Sequence, residues 1–462
     1  MTMNEPNNII IESKKKVKKA SNEQEKLRSF IYLLIGQFIS LFGSSIVGFA
    51  IVWWITIETG SSVFLSIAAF LVYAPVIFLV PITGVYADRW NKKQLIIICD
   101  FLQAIFTLGL IILFILDMVN IVAVLLLLLL RGICQAFHQP ALMAIIPYMI
   151  PMQHFSKFNS VSILTSGMLN FIAPVIASSL MIFLSIGQIL WVDIVTFLIA
   201  LIPSIFLKFS VKKRKRKKKS NFRKEFKEGL FALKEIEGLI SLLIFFALES
   251  FFIVPYFILM PYFVNITHSG TEFDLAMIQA LFQAGIVFGS IIQYRKKKWN
   301  KKVVTIIKIT SLQMLATTFL LFSPKGAFLM IGMGPFIIGF GNAITTALIM
   351  TLIQSIIPRK KQGRAISIII VIVSSSVPLS MIISGFFVEL IGIYIYYWIC
   401  LIAMLIILSL AMLMTSILSL DKRIEERMKQ LYPYSLKSKE NKEMNYNMKD
   451  YSNLKFLRKK TN

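Results

Sequence analysis

Twelve stretches of this chain stay apolar for about twenty residues, the length an α-helix needs to cross roughly 30 Å of hydrocarbon at 1.5 Å per residue. They fall near 30–56, 62–87, 95–116, 121–147, 158–184, 188–208, 239–264, 275–294, 303–322, 327–353, 366–390 and 393–419. Inside hydrocarbon a backbone satisfies its N–H and C=O groups only in a helix or a closed barrel, and runs this long fit the helix. The pattern predicts an all-α integral membrane protein with twelve transmembrane helices. Composition agrees: 57% of the 462 residues are hydrophobic, against roughly 45–50% in soluble domains.

The formal net charge of +26 would point to nucleic acid if it formed one soluble face. Here the basic residues sit in short clusters between apolar runs. Lys14 to Lys19, Arg89 to Lys93, Lys157, Lys212 to Lys219, Arg295 to Lys302, Arg359 to Arg364 and the tail after Asp421 alternate with loops holding Glu58, Asp117, Glu272 and Asp274. By the positive-inside rule, both termini and the central loop are expected in the cytoplasm, which an even number of spans also requires. The run Lys212 to Lys219 reads as a stop-transfer anchor drawn to anionic headgroups rather than a nucleic-acid patch. About 28 polar and basic residues precede the first span, which does not suit a cleaved signal peptide. Cys99, Cys134 and Cys400 lie in apolar runs and make an odd count, so free thiols are expected. The excess of Lys over Arg and the abundance of Ile hint at a bacterial source.

Sliding the chain by 207 residues superposes Gly132 on Gly339, Ala136 on Ala343, Met143 on Met350, Pro151 on Pro358 and Ser160 on Ser367. A same-orientation repeat around a long basic loop predicts two pseudo-symmetric halves. The expected division is a cytoplasmic tail over 1–28, a six-helix half over 29–208, a basic loop over 209–238, a second six-helix half over 239–419 and a basic tail over 420–462.

Between the second and third runs stands Gly84-Val-Tyr-Ala-Asp88-Arg89-Trp-Asn-Lys92-Lys93. A small residue permits close helix approach, a carboxylate can cap a helix N-terminus, and a basic cluster pins the turn to one face. This turn resembles the loop between the second and third helices of the major facilitator superfamily. Gly36-Gln37 with Ser40 and Gly43-Ser44, Arg131 to Pro140 with Pro147 and Pro151, Asn221 to Gly229, Gly363-Arg364 and Ser384-Gly385-Phe386-Phe387 extend the resemblance. Together, over about residues 29–419, they look like the macrolide-efflux branch of the drug:proton antiporters, a group that also contains siderophore exporters. The resemblance implies export of hydrophobic or amphipathic compounds by alternating access, with protons, membrane lipids and a small molecule as partners, a monomer, and a cell-membrane location. It also implies that Asp88 caps the eleventh helix in one state, with Gly84, Arg89, Lys92, Lys93, Gly363 and Arg364 in the same conformational gate. Siderophore or metabolite export is the competing transport reading, and a non-transport membrane protein the distant one.

A charge at the bilayer centre costs several kcal/mol and is rarely kept without a role. Arg131 lies about ten residues into the fourth run, roughly at mid-depth. It keeps its proton, so it needs an acceptor. It reads as a fixed charge in proton coupling, acting on a nearby carboxylate or an anionic substrate, or else as an interhelical salt bridge or carbonyl clamp. By the resemblance it occupies the place of the antiporter motif's arginine, although Arg131 to Ala136 matches that motif only in part. Glu249 reaches similar depth in the seventh run and can titrate, so by depth and charge it reads as a proton-coupling acid, against the alternative of a hydrogen-bonded structural acid. Asp193 reads as a helix-packing hydrogen bond, with an outer gate or a second protonation site as the alternatives, and Asp100 reads as part of a gating network with Arg89 or the tenth-to-eleventh turn. Gln37, Phe137, His138, Gln139, Asn170, Phe252, Tyr256, Gln279, Gln283 and Asn342 are the expected cavity wall, amides and aromatics on helices that line the centre in the superfamily. Trp53-Trp54 reads as part of an interfacial aromatic belt. No nucleotide phosphate loop, metal-spaced His/Cys/carboxylate cluster or Ser-His-acid elbow is present, so neither an enzyme nor a metal or other cofactor is expected.

Overall fold

A computed structural model describes residues 5–149, 155–206, 230–231, 233–296, 299, 301–357, 359–414, 417 and 419–431. Among them there is no strand. The first half comprises α1 (Glu5–Thr59), α2 (Ser62–Arg89), α3 (Lys92–Ile115), α4 (Ile121–Met149), α5 (Phe155–Phe183) and α6 (Trp191–Phe206). The second comprises α7 (Leu239–Ile258), α8 (Glu272–Arg295), α9 (Lys302–Ala316), α10 (Phe328–Ile356), α11 in two pieces (Arg359–Ser374 and Ser376–Ile391) and α12 (Ile393–Leu413). A polar helix, α13 (Leu420–Leu431), follows. Eleven helices are long and apolar enough to span a bilayer, and the shorter apolar stretch Ile186–Ile202 supplies the twelfth crossing. Most of the expected central loop and most of the C-terminal tail lie outside the described residues.

Local chemistry sets the helix ends. Asn91 accepts from the Lys93 N–H at 3.2 Å to start α3, and Asn120 accepts from the Val122 N–H at 2.8 Å to start α4. Thr271 and Asp274 form a reciprocal capping box for α8. Gly392 turns the chain between α11 and α12 with φ +82°, a conformation a side chain would strain. The break in α11 falls three residues before Pro378, which has no N–H for the Ser374 carbonyl and whose ring crowds it.

The repeat seen in the sequence has a packing cause. Gly132 on α4 lets the backbone of α2 approach so closely that an added Cβ would stand 2.8 Å from the Leu71 carbonyl oxygen. Its counterpart Gly339 on α10 faces the Phe282 carbonyl of α8 in the same way, and Gly285 and Gly289 return the contact against Phe336 and Phe340. Without a hydrophobic drive between helices in lipid, such small-residue contacts give the backbones their van der Waals attraction.

The halves meet at the bundle end that carries the α1–α2 and α11–α12 turns. Ser62 Oγ donates to the Gly385 carbonyl at 2.9 Å, and Ser61 and Ser62 lie 3.2 and 3.1 Å from Glu389 Oε2. Ile46, Phe49, Ala50 and Trp53 of α1 join the large apolar core of the second half. Trp53 is therefore a core residue, 1% exposed, and not part of an interfacial belt, while Trp54 packs edge-on against Phe114. The three cysteines are buried and free.

Candidate functional site

Seven residues are two helical turns, so polar residues at that interval lie on one helix face about 10 Å apart. The interval recurs on three helices of the first half: Gln37 and Ser44 on α1, Asp100 and Thr107 on α3, Arg131 and His138 on α4. α4 runs antiparallel to the other two, and the six side chains form two polar layers. In one, Gln37 Nε2 donates to Asp100 Oδ2 at 2.9 Å, and His138 Nε2 lies 3.1 Å from Asp100 Oδ1, close enough to pair yet not aligned for a hydrogen bond. In the other, Asp193 of α6 accepts from Ser44 at 2.6 Å on Oδ1, and from Thr107 at 2.6 Å and Arg131 Nη1 at 2.8 Å on Oδ2. Arg131 Nη1 also contacts the Thr107 hydroxyl.

This second layer is a closed set. Both oxygens of Asp193 are engaged, and its cation is one that keeps its proton. Buried ion pairs persist when added hydrogen bonds repay desolvation, and here two hydroxyls from separate helices do so. Beside the layers lies a cavity of about 430 Å³, lined by Gln37, Asp100, Arg131 and His138 together with Gln103, Gln135 and Gln139.

A second cavity, about 390 Å³, lies between the halves. Its walls are Ser45, Gly48, Phe49 and Val52 of α1, Asn170, Ala173 and Pro174 of α5, Phe257 of α7, Ile278, Gln279, Phe282 and Gln283 of α8, and Pro335 of α10, with Leu169 and Met260. Phe257 and Phe282 meet edge-to-face at 4.9 Å.

Of the expected cavity wall, Gln37, His138 and Gln139 line the first cavity, and Asn170, Gln279 and Gln283 the second. The others line neither. Tyr256 is buried, stacked on Tyr397 at 4.3 Å and donating to the Tyr397 carbonyl at 2.7 Å, so it packs α7 onto α12. Phe137 packs on the apolar cluster of Leu95 and Ile145, Phe252 sits against Phe251, and Asn342 is exposed beside Thr346. Asp100 accepts from Gln37 and lies against His138 within the first half, and the side chain of Arg89 and the basic side chains of the tenth-to-eleventh turn, its expected gating partners, lie outside the described residues. For Gly84, Asp88, Arg89, Gly363 and Arg364 only the helical backbone is described, and their gating contacts lie outside the described side chains. Lys92 is buried at the start of α3, and Lys93 Nζ donates to the Ile205 carbonyl at 2.7 Å near the end of α6, a helix-end contact for a cation.

Glu249 stands apart. It falls on the α7 stripe of Leu242, Phe246, Ile253 and Tyr256, all buried, and away from exposed Ile244 and Leu248. Among the described residues it has no hydrogen-bond or ion-pair partner. The described residues contain no group of three His, Cys, Asp or Glu side chains placed to hold a metal.

A family model described as the Major Facilitator Superfamily matches residues 33–376. The chain belongs to that superfamily. Within it, the chain is similar to macrolide efflux protein A of Streptococcus pyogenes, 26% identical over 365 residues that cover 79% of this chain and 90% of the relative. The fold matches the nucleoside transporter NupG with a TM-score of 0.67 at 14% identity, over 83% of this chain and 99% of the other. A bacterial homologue of the iron transporter ferroportin gives a TM-score of 0.64 in its inward-facing state (13% identity, 87% and 99% coverage) and 0.57 in its outward-facing state (15% identity, 87% and 99%). The protein is thus a multi-pass membrane transporter of the superfamily, not an enzyme, with macrolide exporters among its relatives.

Sequence reasoning missed the two-layer arrangement, although its signal, the repeated interval of seven, was visible. It also missed Gln103, Gln135, Gly48 and Glu389. Their significance depends on which helix faces meet.

Proposed function

We propose that this protein is a proton-driven exporter of hydrophobic or amphipathic compounds, macrolide-like in kind, working by alternating access. In this reading it is a monomer in a bacterial cell membrane with both termini in the cytoplasm, and the halves 29–208 and 239–419 rock about the cavity between them. The Ser61, Ser62 and Glu389 contacts then close the outer side, which agrees with the higher TM-score to the inward-facing ferroportin homologue. Asp88, with its neighbours in the charged turn, would set the balance between states.

The observation that carries the coupling assignment is the unpartnered Glu249. An acid engaged by an arginine and two hydroxyls, as Asp193 is, can gain a proton only by giving up donors, whereas Glu249 has none to give up among the described residues. Glu249 is therefore the acid that exchanges protons. Arg131 and Asp193 brace the first half and hold a fixed charge pair beside its cavity.

Accumulation of labelled macrolide in a susceptible bacterial host tests this reading. Expression of the wild type should lower accumulation, a protonophore should restore it, and Glu249→Gln should behave like the empty vector at equal membrane expression. Unchanged accumulation across macrolides and amphipathic dyes, despite confirmed expression, would overturn it.

A further inference from the structure

Of the seven side-chain amides that line the two cavities, Gln37 donates to Asp100, and the other six have no hydrogen-bond partner in the protein among the described residues. Gln103, Gln135 and Gln139 face the first-half cavity, and Asn170, Gln279 and Gln283 the cavity between the halves. An amide in a membrane protein's interior is satisfied by the protein, by water or by a ligand, and leaving it bare is costly. The cavities differ in character. One lies beside the Asp100–His138 pair and Arg131, and the other is walled by Phe49, Phe257 and Phe282.

They also touch. Ser45 and Gly48, one turn apart on α1, line both. The Ser45 hydroxyl turns back to the Leu41 carbonyl at 2.8 Å. At Gly48 an added Cβ would meet no heavy atom within 4 Å. A glycine whose missing side chain faces empty space between two cavities leaves a passage. Each cavity alone lies near the lower end of ligand-site volumes, which run from about 300 to 1,000 Å³.

We propose that the two cavities form one bipartite binding site joined at Gly48. It would take an amphipathic molecule whose apolar body packs on the phenyl rings between the halves and whose hydroxyl- and amine-bearing part enters the first-half cavity. There the free amides, and the carboxylate of Asp100, would meet hydroxyls and a cationic amine. The proposal rests on the export reading and specifies its substrate: polar decoration on one side of a large apolar frame, with neither part sufficient alone. A side chain at Gly48 would start from a Cβ that meets no protein atom and would extend into the passage.

The test is equilibrium binding of a radiolabelled glycosylated macrolide carrying an amino sugar, and of its sugar-free aglycone, to purified wild type, Gly48→Leu and Gln135→Leu. Size-exclusion profiles check that each variant is folded. The wild type should prefer the glycosylated compound by about tenfold, the ratio that one or two polar contacts give. Gly48→Leu should bring that ratio close to one, and Gln135→Leu, on the polar side only, should lower it by a few fold. A ratio unchanged in folded Gly48→Leu, or a wild type that binds both compounds equally, would overturn the bipartite site and leave export standing. A wild type that binds neither compound would overturn the macrolide-like export reading, and this inference with it.

Discussion

The two halves share a scaffold and differ in chemistry. Gly132 in the first half and Gly339 in the second do the same work, letting α4 ride on α2 and α10 on α8 across bare backbone. In the first half that scaffold holds two buried polar layers, one built on Asp100 and one on Asp193. At comparable depth the second half holds Glu249, an acid with no hydrogen-bond or ion-pair partner among the described residues. Pseudo-symmetry thus reflects helix packing, which both halves must solve alike, while the ionisable groups follow no such rule. The buried charges of the first half satisfy one another, whereas Glu249 of the second has no such partner among the described residues.

The largest effect expected from breaking this comparison is on the shared scaffold. Gly132→Val and Gly339→Val should each prevent recovery of folded protein, since a side chain there meets backbone rather than a flexible side chain. Fluorescence-detected size exclusion would read this, and a normal profile for either variant would show that the halves are not packed alike.

Next comes the brace. Arg131→Ala should cost about 3–5 kcal/mol, because it strands a buried carboxylate, while the double variant Arg131→Met with Asp193→Leu should lose much less. Thermal unfolding in detergent compares them, and equal losses would argue against a satisfied ion pair. By contrast, Glu249→Gln should leave thermal stability nearly unchanged, since no partner is lost. A drop as large as that of Arg131→Ala would reveal a structural acid.

A smaller effect is expected at the bundle end where the halves meet. His268, in the turn between α7 and α8, is buried beside Phe263 and 3.1 Å from the Tyr394 hydroxyl. Burial first, and then the charge of Lys325, hold its imidazole below the ordinary histidine range. Since the folded form disfavours the proton, the unfolded chain binds more protons below about pH 6.5, and stability contributed there is lost as pH falls. His268→Gln should flatten the decline in melting temperature between pH 7 and pH 5, a shift of a degree or two. Identical profiles would remove His268 from the account.

The twelve crossings were legible because the bilayer sets one ruler for every span, and the repeat because only glycine fits where backbones touch. Gln37, Asp100, Arg131 and His138 were each visible as unusual, and the interval of seven that links Gln37 to Ser44, Asp100 to Thr107 and Arg131 to His138 was in plain sight. Their pairing was not, since it requires knowing that α1, α3, α4 and α6 turn those faces to one another. Tyr256 and Trp53 were misread for the related reason that an aromatic in an apolar run looks the same whether it faces a cavity, a lipid headgroup or a core. Gly48 gave no signal, because an empty volume is a property of several helices and of no single residue.

The central claim is that Glu249 exchanges the proton that drives export. Purified protein in vesicles, with an imposed pH gradient and a pH-sensitive dye, would show whether macrolide movement and proton movement are linked. The account predicts macrolide-dependent proton flux in the wild type, and in Glu249→Gln none, with macrolide exchange between equal concentrations preserved. Undiminished macrolide-dependent proton flux in Glu249→Gln would contradict it.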